Sequence, residues 1–598
     1  MAGCGKAIVV GSGAGGAVMA MELAGAGWDV VILEKGSNYY TGLGSAQGPQ
    51  RTLFSNDEVK DKLRYFEQPD PIAFPRTFRA DASGPATYVG PLNDLPVTVG
   101  GGTVHWDAKT PRFWDIDFKG LSMLGPFPGA DMADWPFSYG DLAPYYDEVE
   151  ALIGVAGAVG QMPANTLAHA PHHRDFPMPP GPQQRSSSLI AEGCRTLGLH
   201  PYPFPMAINS QPYDGRATCN NCGFCSGYGC PILARVGALA PLQRAMRTGR
   251  VDLRTESMAV RVHHSGTRAT AVSYLSADGT MHTESADLVV LAASAIETTR
   301  LALLSGLPDR SGRLGRRLMF HSFTLGFGIF LHERVHAYRG RSSTVCMEDW
   351  ADPDYTGARV AAKAAGLPYI RGGLCECGGS QEPVAEGTFY QLILSLLQPQ
   401  KPFGATFKQL MRTSLLRDRL SGMQMIGTDL PYMTNTVDLD PKVKDMFGVP
   451  APRITYSLGN HENVASLFYI PIMTAVLKAA GADLSAAIPG STQSFTPGSS
   501  MPDTKHIMGG MQMGTSPSNS VTDPYGRIHG FDNLVVADGS VFVTSGAQHP
   551  TNTLMAGALR SARNLVGASA ASCAAPTGAP NQPPIPAGAP DTGGGGAA

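Results

Sequence analysis

The sequence predicts an α/β fold, with a Rossmann-like dinucleotide-binding domain joined to a β-sheet-rich α+β domain. Three observations carry this prediction. The apolar run Lys6-Ala-Ile-Val-Val10 leads into the glycine turn Gly11-Ser-Gly-Ala-Gly-Gly16, and a second apolar run, Asp29-Val-Val-Ile-Leu33, ends at Glu34. The stretch from about Phe320 to Asp503 has a mixed texture with strand-like runs, which suits a separate substrate domain.

Taken in order, the first elements form a strand, a tight turn and a helix, because Ala17–Ala24 has helical apolar spacing. In such a unit Gly11 permits the turn, Gly13 lets the backbone approach a pyrophosphate, and Gly16 lets helix and strand pack closely. The helix N-terminus meets the phosphate charge. Glu34 lies about 20 residues beyond the glycines, where a carboxylate accepts hydrogen bonds from ribose hydroxyls and favours an unphosphorylated ribose, as in FAD or NAD. Pro163 to Pro182 reads as a surface loop. Its His169, His172 and His173 lack a Cys or carboxylate at metal-ligand spacing. Asp287–Ala292 is a strand and Ala293–Leu304 a helix that return the chain to the dinucleotide sheet. In the central region Thr324–Leu331 and Phe389–Leu397 read as strands, and the amphipathic stretch Lys408–Arg419 as a solvated covering helix rather than a membrane-surface one.

These readings divide the chain into residues 1–320, mainly dinucleotide-binding with loop insertions at about 40–90 and 155–230, a substrate domain over 321–503, and a return to the first domain over 504–568. Residues 569–598, mostly Ala, Gly and Pro, form a disordered tail. At 598 residues the chain exceeds what one core usually holds. A formal net charge of -3 with 16% charged residues gives no electrostatic case for nucleic acid. The 71 glycines and 47 prolines imply long ordered loops. With no signal peptide and no apolar run of transmembrane length, the expectation is a cytoplasmic protein, export alongside a partner remaining an alternative.

Four cysteines crowd into Cys219-Asn-Asn-Cys222-Gly-Phe-Cys225-Ser-Gly-Tyr-Gly-Cys230. Three readings stand side by side: a glycine-turned loop with buried or disulfide-paired thiols, an iron-sulfur cluster on Cys219, Cys222, Cys225 and Cys230, and a zinc site.

Several segments together resemble a known family. They are the glycine turn with Glu34, Gly100-Gly-Gly-Thr-Val-His-Trp106, the strand and helix within Ala292–Leu307, Asn533-Leu-Val-Val-Ala-Asp-Gly-Ser-Val541, and the stretch from His506 to Arg563. The chain resembles the glucose-methanol-choline (GMC) oxidoreductases, FAD-dependent enzymes that oxidise alcohol groups. It departs from their second signature at Glu297, Thr298 and Leu307. The resemblance implies FAD, held by Gly11, Gly13, Gly16, Glu34, Gly101, Thr103, His105, Trp106, Asp538, Gly539 and Thr551. The cysteine-rich stretch and the Gly-Gly-x-x-x-His-Trp pattern are similar to the branch of pyranose oxidases and multi-subunit sugar dehydrogenases. In the pyranose oxidases a histidine at the place of His105 carries the flavin covalently, and Thr110-Pro-Arg-Phe113 stands at the matching position. The alternative is a His105 that only packs beside the flavin.

The chemistry can be argued independently. Moving a hydride from a carbinol carbon to flavin requires a base for the hydroxyl proton and a second polar group to hold the oxygen. His506, in His506-Ile-Met-Gly-Gly, is assigned as the base and His549, in Gln548-His-Pro-Thr-Asn552, as the orienting group, with the Asn552 amide as an alternative for the second role. The function expected is FAD-dependent oxidation of a CH-OH group of a sugar or glycoside, with oxygen, a quinone or another electron acceptor. Two further readings are an enzyme of apolar alcohols or sterols, including a lyase, and the flavin-bearing subunit of a complex with a small partner and a cytochrome.

Overall fold

Why the first three elements form follows from their burial. Lys6–Val10, Asp29–Leu33 and Leu288–Leu291 are almost wholly apolar and covered on both faces, which selects a parallel sheet wrapped by helices. In the computed structural model, which describes residues 4–51, 69–90, 95–225, 227–337, 339–379, 402–413, 418–490 and 504–570, these strands pair in parallel. The sheet order is Leu534–Val536, Leu288–Leu291, Lys6–Val10, Asp29–Leu33 and Val251–Arg254. The helix Ala14–Gly25 covers it and packs against the last helix, Thr551–Ala570. The last described residues thus return to the element formed by the first, and residues 571–598 of the expected tail lie outside the described residues.

The second sheet is antiparallel and runs Leu484–Pro489, Ser322–Ile329, Leu420–Gly427, Cys375–Cys377, Val345–Met347 and Tyr202–Pro203. This is the β-rich region expected from texture, and the fold is the α/β arrangement anticipated. Burial alternates along Ser322–Ile329 with the period of a strand. Ser322, Thr324, Gly326 and Gly328 are buried, and the last three meet the long helix Asn460–Ala479: Thr324 shares a 2.8 Å hydroxyl contact with Ser466, and a Cβ at Gly326 or Gly328 would stand 3.2 or 3.3 Å from the Leu477 side chain. The opposite face, with Phe323, Leu325 and Phe327, is half-buried. Register sets Leu325, Gln424 and Glu376 side by side on that face. Cys375 and Cys377, one residue to either side of Glu376, are buried in the apolar core with Met423 and Met425.

The expected strand Phe389–Leu397 lies outside the described residues. Of the amphipathic stretch 408–419, a helix over Gly404–Thr413 is present with no buried residue, and 414–417 lie outside the description. Among the described residues no helix is long and apolar enough to cross a membrane.

The glycine turn is closely packed. A Cβ on Gly16 would stand 2.0 Å from the Gly11 carbonyl oxygen, whereas one on Gly13 meets nothing nearer than the Gly101 Cα at 4.0 Å. Gly16→Ala should therefore destabilise the apoprotein by about 1–3 kcal/mol or more, read as a lower thermal midpoint. Gly13→Ala should keep the midpoint and weaken retention of a dinucleotide. Equal losses of stability in the two variants would contradict this division.

Candidate active site

The two domains enclose a cavity of about 520 Å³ that runs from Gly11, Gly13 and Glu34 to His506 and His549. At its dinucleotide end the bare backbones of Gly13 and Gly101 face each other, and the helix beginning at Ala14 points its N-terminus inward. Glu34 lines the cavity while one of its oxygens accepts Ser12 N–H at 3.0 Å and Ser12 Oγ at 2.6 Å, and the other accepts Gly36 N–H at 2.8 Å. Burial pushes this carboxyl above its ordinary range. The Ser12 hydroxyl in turn accepts Gly100 N–H at 3.1 Å, which seats the short 3-10 turn Gly101–Val104 beside the glycine turn. Thr103 closes that turn on Gly100 O and receives Ala238 N–H. His105 and Trp106 follow it into the cavity.

Asp538 and Gly539 enter the cavity from the Leu534–Val536 strand, and Thr551 from the first turn of the last helix. Asp538 accepts Ser540 N–H at 2.9 Å and Thr298 Oγ at 2.5 Å. Thr298, a departure from the family signature, thus serves to hold this carboxylate. Glu297, a second departure, also lines the cavity. Burial works against its ionisation, but Lys35, Arg300 and Arg76 bring its pKa down to about 2. Asn552 does not reach the cavity. Its amide nitrogen donates to Thr110 O at 3.2 Å and Glu150 at 3.1 Å, because one residue along a helix turns the side chain away from the face that Thr551 and Leu554 present. The amide alternative for substrate orientation is corrected accordingly.

At the far end the rings of His506 and His549 stand 5.0 Å apart at 75°. His506 is held from behind: its Nδ1 is 2.8 Å from Nδ1 of His321, whose Nε2 lies 3.2 Å from the Gly546 carbonyl. Burial, reinforced by His321 and His549, keeps His506 well below the ordinary histidine range, so it is neutral at physiological pH. His549 is backed by charge instead. Its Nε2 donates to Glu376 at 2.8 Å, Glu376 pairs with Lys109, and Lys109 pairs with Asp107 at 2.9 Å. Burial opposes ionisation of Glu376, yet Lys109 and His549 hold its pKa below the usual carboxylate value. Asp107, Lys109 and Glu376 sum to one negative charge behind the His549 ring. Its Nδ1 is buried without a hydrogen-bond partner and lines the same cavity. Gln424 also lines it, its side-chain amide unpartnered among the described residues.

The sequence reading missed His321, Lys109, Glu376 and Gln424. Only Lys109, three residues after Trp106, and Glu376, a lone acid in an apolar run, left a trace that spacing could have caught. The cysteine loop shows no assembled ligand set among the described residues. Cys219, Cys222, Cys225 and Cys230 are free thiols, and among the described residues no group of three or more His, Cys, Asp or Glu is arranged to hold a metal ion. The loop is organised around Arg235, which donates to the carbonyls of Val104, Trp106, Cys225 and Tyr228. Gly227 N–H reaches His105 O at 2.9 Å. Of the three loop histidines, His169 stacks on Trp114 and bonds Asp115, and His172 packs edge-on to Phe176.

Residues 130–323 and 431–558 match the GMC oxidoreductase family descriptions, and residues 6–67 match an FAD binding domain. The 2-methyl-1,2-propanediol dehydrogenase of Mycolicibacterium austroafricanum is 30% identical over 92% of this chain and 93% of its own. The gluconate 2-dehydrogenase flavoprotein of Pantoea cypripedii is 27% identical over 92% and 91%. Among solved structures, pyridoxine 4-oxidase from Mesorbium loti shares the fold with a TM-score of 0.58, at 17% identity over 94% of this chain and 98% of that one.

The buried charge row makes a prediction of its own. Lys109→Met leaves two facing carboxylates without their cation and should cost about 3–5 kcal/mol at pH 7, measured by urea unfolding. Because the pKa of Glu376 is depressed, its contribution is complete above the unfolded value of about 4.3 and fades as pH falls through the folded one. The gap between wild type and variant should therefore narrow in acid, and a gap independent of pH would refute the electrostatic account.

Proposed function

The chain belongs to the GMC oxidoreductase family, and from that premise we propose that it oxidises a CH-OH group of a polyhydroxylated substrate, a sugar or glycoside, to the carbonyl. The observation that carries this reading is the pair of imidazoles, His506 and His549, facing each other at the end of the cavity that begins at the glycine turn. The residues lining the other end fit FAD: paired glycine backbones, a helix N-terminus and a buried acid at the ribose position. Bound FAD supplies the acceptor for a hydride. His506 Nε2 takes the hydroxyl proton, and the neutral state enforced by burial leaves that nitrogen free to do so. His549 orients the alcohol oxygen, its ring fixed from behind by the Nε2–H bond to Glu376. The substrate carbon loses a hydride and its hydroxyl a proton, so two electrons leave the alcohol and reduce the cofactor.

Gln424 supports the choice of a polyhydroxylated substrate, because its unpartnered amide stands on the cavity wall beside Glu376 and offers a donor and an acceptor to a neighbouring hydroxyl. The substrates that give the two relatives named above their names, a 1,2-diol and gluconate, each carry adjacent hydroxyls. One observation favours a second reading, an apolar alcohol: Phe323 lines the cavity and Leu325 and Phe327 lie on the same face of its strand.

An anaerobic visible spectrum recorded with a panel of sugars, glycosides, diols and apolar alcohols separates these readings. The flavin band should bleach with a sugar or glycoside and persist with apolar alcohols; the reverse pattern would transfer the assignment to the second reading. Return of the band in air identifies oxygen as acceptor, and its absence points to a quinone or protein acceptor. His506→Ala should retain FAD and slow bleaching by about 10²- to 10⁴-fold, with near-normal bleaching removing His506 from the reaction.

His105 is the residue proposed to carry the flavin covalently, since it lies in the cavity on the turn that faces Gly13. Acid-precipitated protein should then keep its yellow colour in the pellet and lose it in His105→Ala. A colourless wild-type pellet would leave His105 a packing role.

A further inference from the structure

His506 leans on a third imidazole that the reaction as described does not use. His321 is fully buried at the start of the strand Ser322–Ile329, its ring perpendicular to that of His506 with centroids 5.0 Å apart. The Nδ1–Nδ1 distance of 2.8 Å is a hydrogen bond, so one proton lies between two nitrogens that both belong to histidines. Which ring owns that proton follows from the other side of His321. Its Nε2 faces the Gly546 carbonyl at 3.2 Å, and a carbonyl only accepts, so Nε2 carries a hydrogen. Burial, with His549 adding to it, brings the pKa of His321 down to about 3, which leaves the ring one proton in all. Its Nδ1 is then a lone pair, and the shared proton belongs to His506 Nδ1. A neutral His506 protonated at Nδ1 has its lone pair at Nε2, the nitrogen away from His321.

The surroundings hold His321 in this orientation. Asp429 accepts Phe320 N–H at 2.6 Å, and its own N–H donates to Ser545 Oγ at 3.0 Å, so one residue ties the backbone before His321 to the segment that presents Gly546. Gly546 itself is packed so closely on Phe113 that a Cβ there would stand 2.5 Å from the ring.

We propose that His321 is a positioning residue that selects the Nδ1–H tautomer of His506 and thereby makes Nε2 the proton acceptor for the substrate hydroxyl. The proposal rests on the reading of His506 as the base. His549 receives the complementary setting from Glu376, so each of the two facing rings takes its tautomer from a partner behind it.

The test uses the full-length holoenzyme labelled with ¹⁵N at histidine, observed by long-range ¹H–¹⁵N correlation, together with stopped-flow flavin reduction by the substrate found in the panel. Wild type should show His506 protonated at Nδ1 alone. A His506 protonated at Nε2 in wild type overturns the proposal whatever the variants do. His321→Leu, which removes the acceptor, should mix the two tautomers and slow flavin reduction roughly 10- to 100-fold with KM little changed, a smaller loss than deleting the base. His321→Gln, which restores an acceptor toward His506 and a donor toward Gly546, should recover most of both signals. An unchanged tautomer in His321→Leu, or equal rate losses in the Leu and Gln variants, overturns the proposal and leaves His506 as base intact. A tautomer that shifts while the reduction rate stays unchanged instead refutes His506 as the base.

Discussion

One buried carboxylate ties together three segments at the dinucleotide end of the cavity. Glu34, at the end of the second strand, binds the backbone and hydroxyl of Ser12 in the glycine turn, and that hydroxyl receives Gly100 N–H from the turn leading to His105. A carboxylate with no cation bonded to it is expensive to bury, and three donors compensate part of that cost. The arrangement gives one side chain two tasks. It fixes the relative position of the glycine turn and the 3-10 turn, and it lines the cavity at the place proposed for a ribose.

At the other end, two similar side chains are given opposite electrostatic surroundings. His506 is backed by a neutral imidazole and a carbonyl, and its burial disfavours charge. His549 is backed by a row of alternating charges that ends in a carboxylate. The division of labour proposed for them follows from this difference rather than from the imidazoles themselves, in the way that paired groups in other active sites are separated by environment.

Much of this was legible in the sequence, for a physical reason. The strand, turn and helix at the N-terminus are specified within some thirty residues by local rules of glycine geometry and apolar spacing, and His506 and His549 sit in short stretches with a distinctive composition. What escaped was created by pairing distant strands. Glu376 reaches His549 only because Cys375–Cys377 registers against Leu420–Gly427, and His321 reaches His506 across the whole substrate region. No local pattern encodes such a meeting. Asn552 shows the converse failure, since closeness in sequence to His549 says nothing of the 100° by which a helix turns its next side chain. The cysteine loop was left open between a thiol loop and a metal site, and the arginine that organises it through backbone carbonyls, Arg235, had no local signal.

The strand Cys375–Cys377 also carries an implication for how this protein can vary. Because side chains alternate, Glu376 faces the cavity while its two neighbours fill the core with Met423 and Met425. Gain or loss of a single residue here would turn a thiol toward His549 and drive the carboxylate into an apolar interior. Substitution of the cysteines by other small apolar residues leaves that pattern whole. In lineages descended from a common ancestor, this short strand should therefore tolerate changes of letter and resist changes of length, while insertions accumulate in the connections on either side.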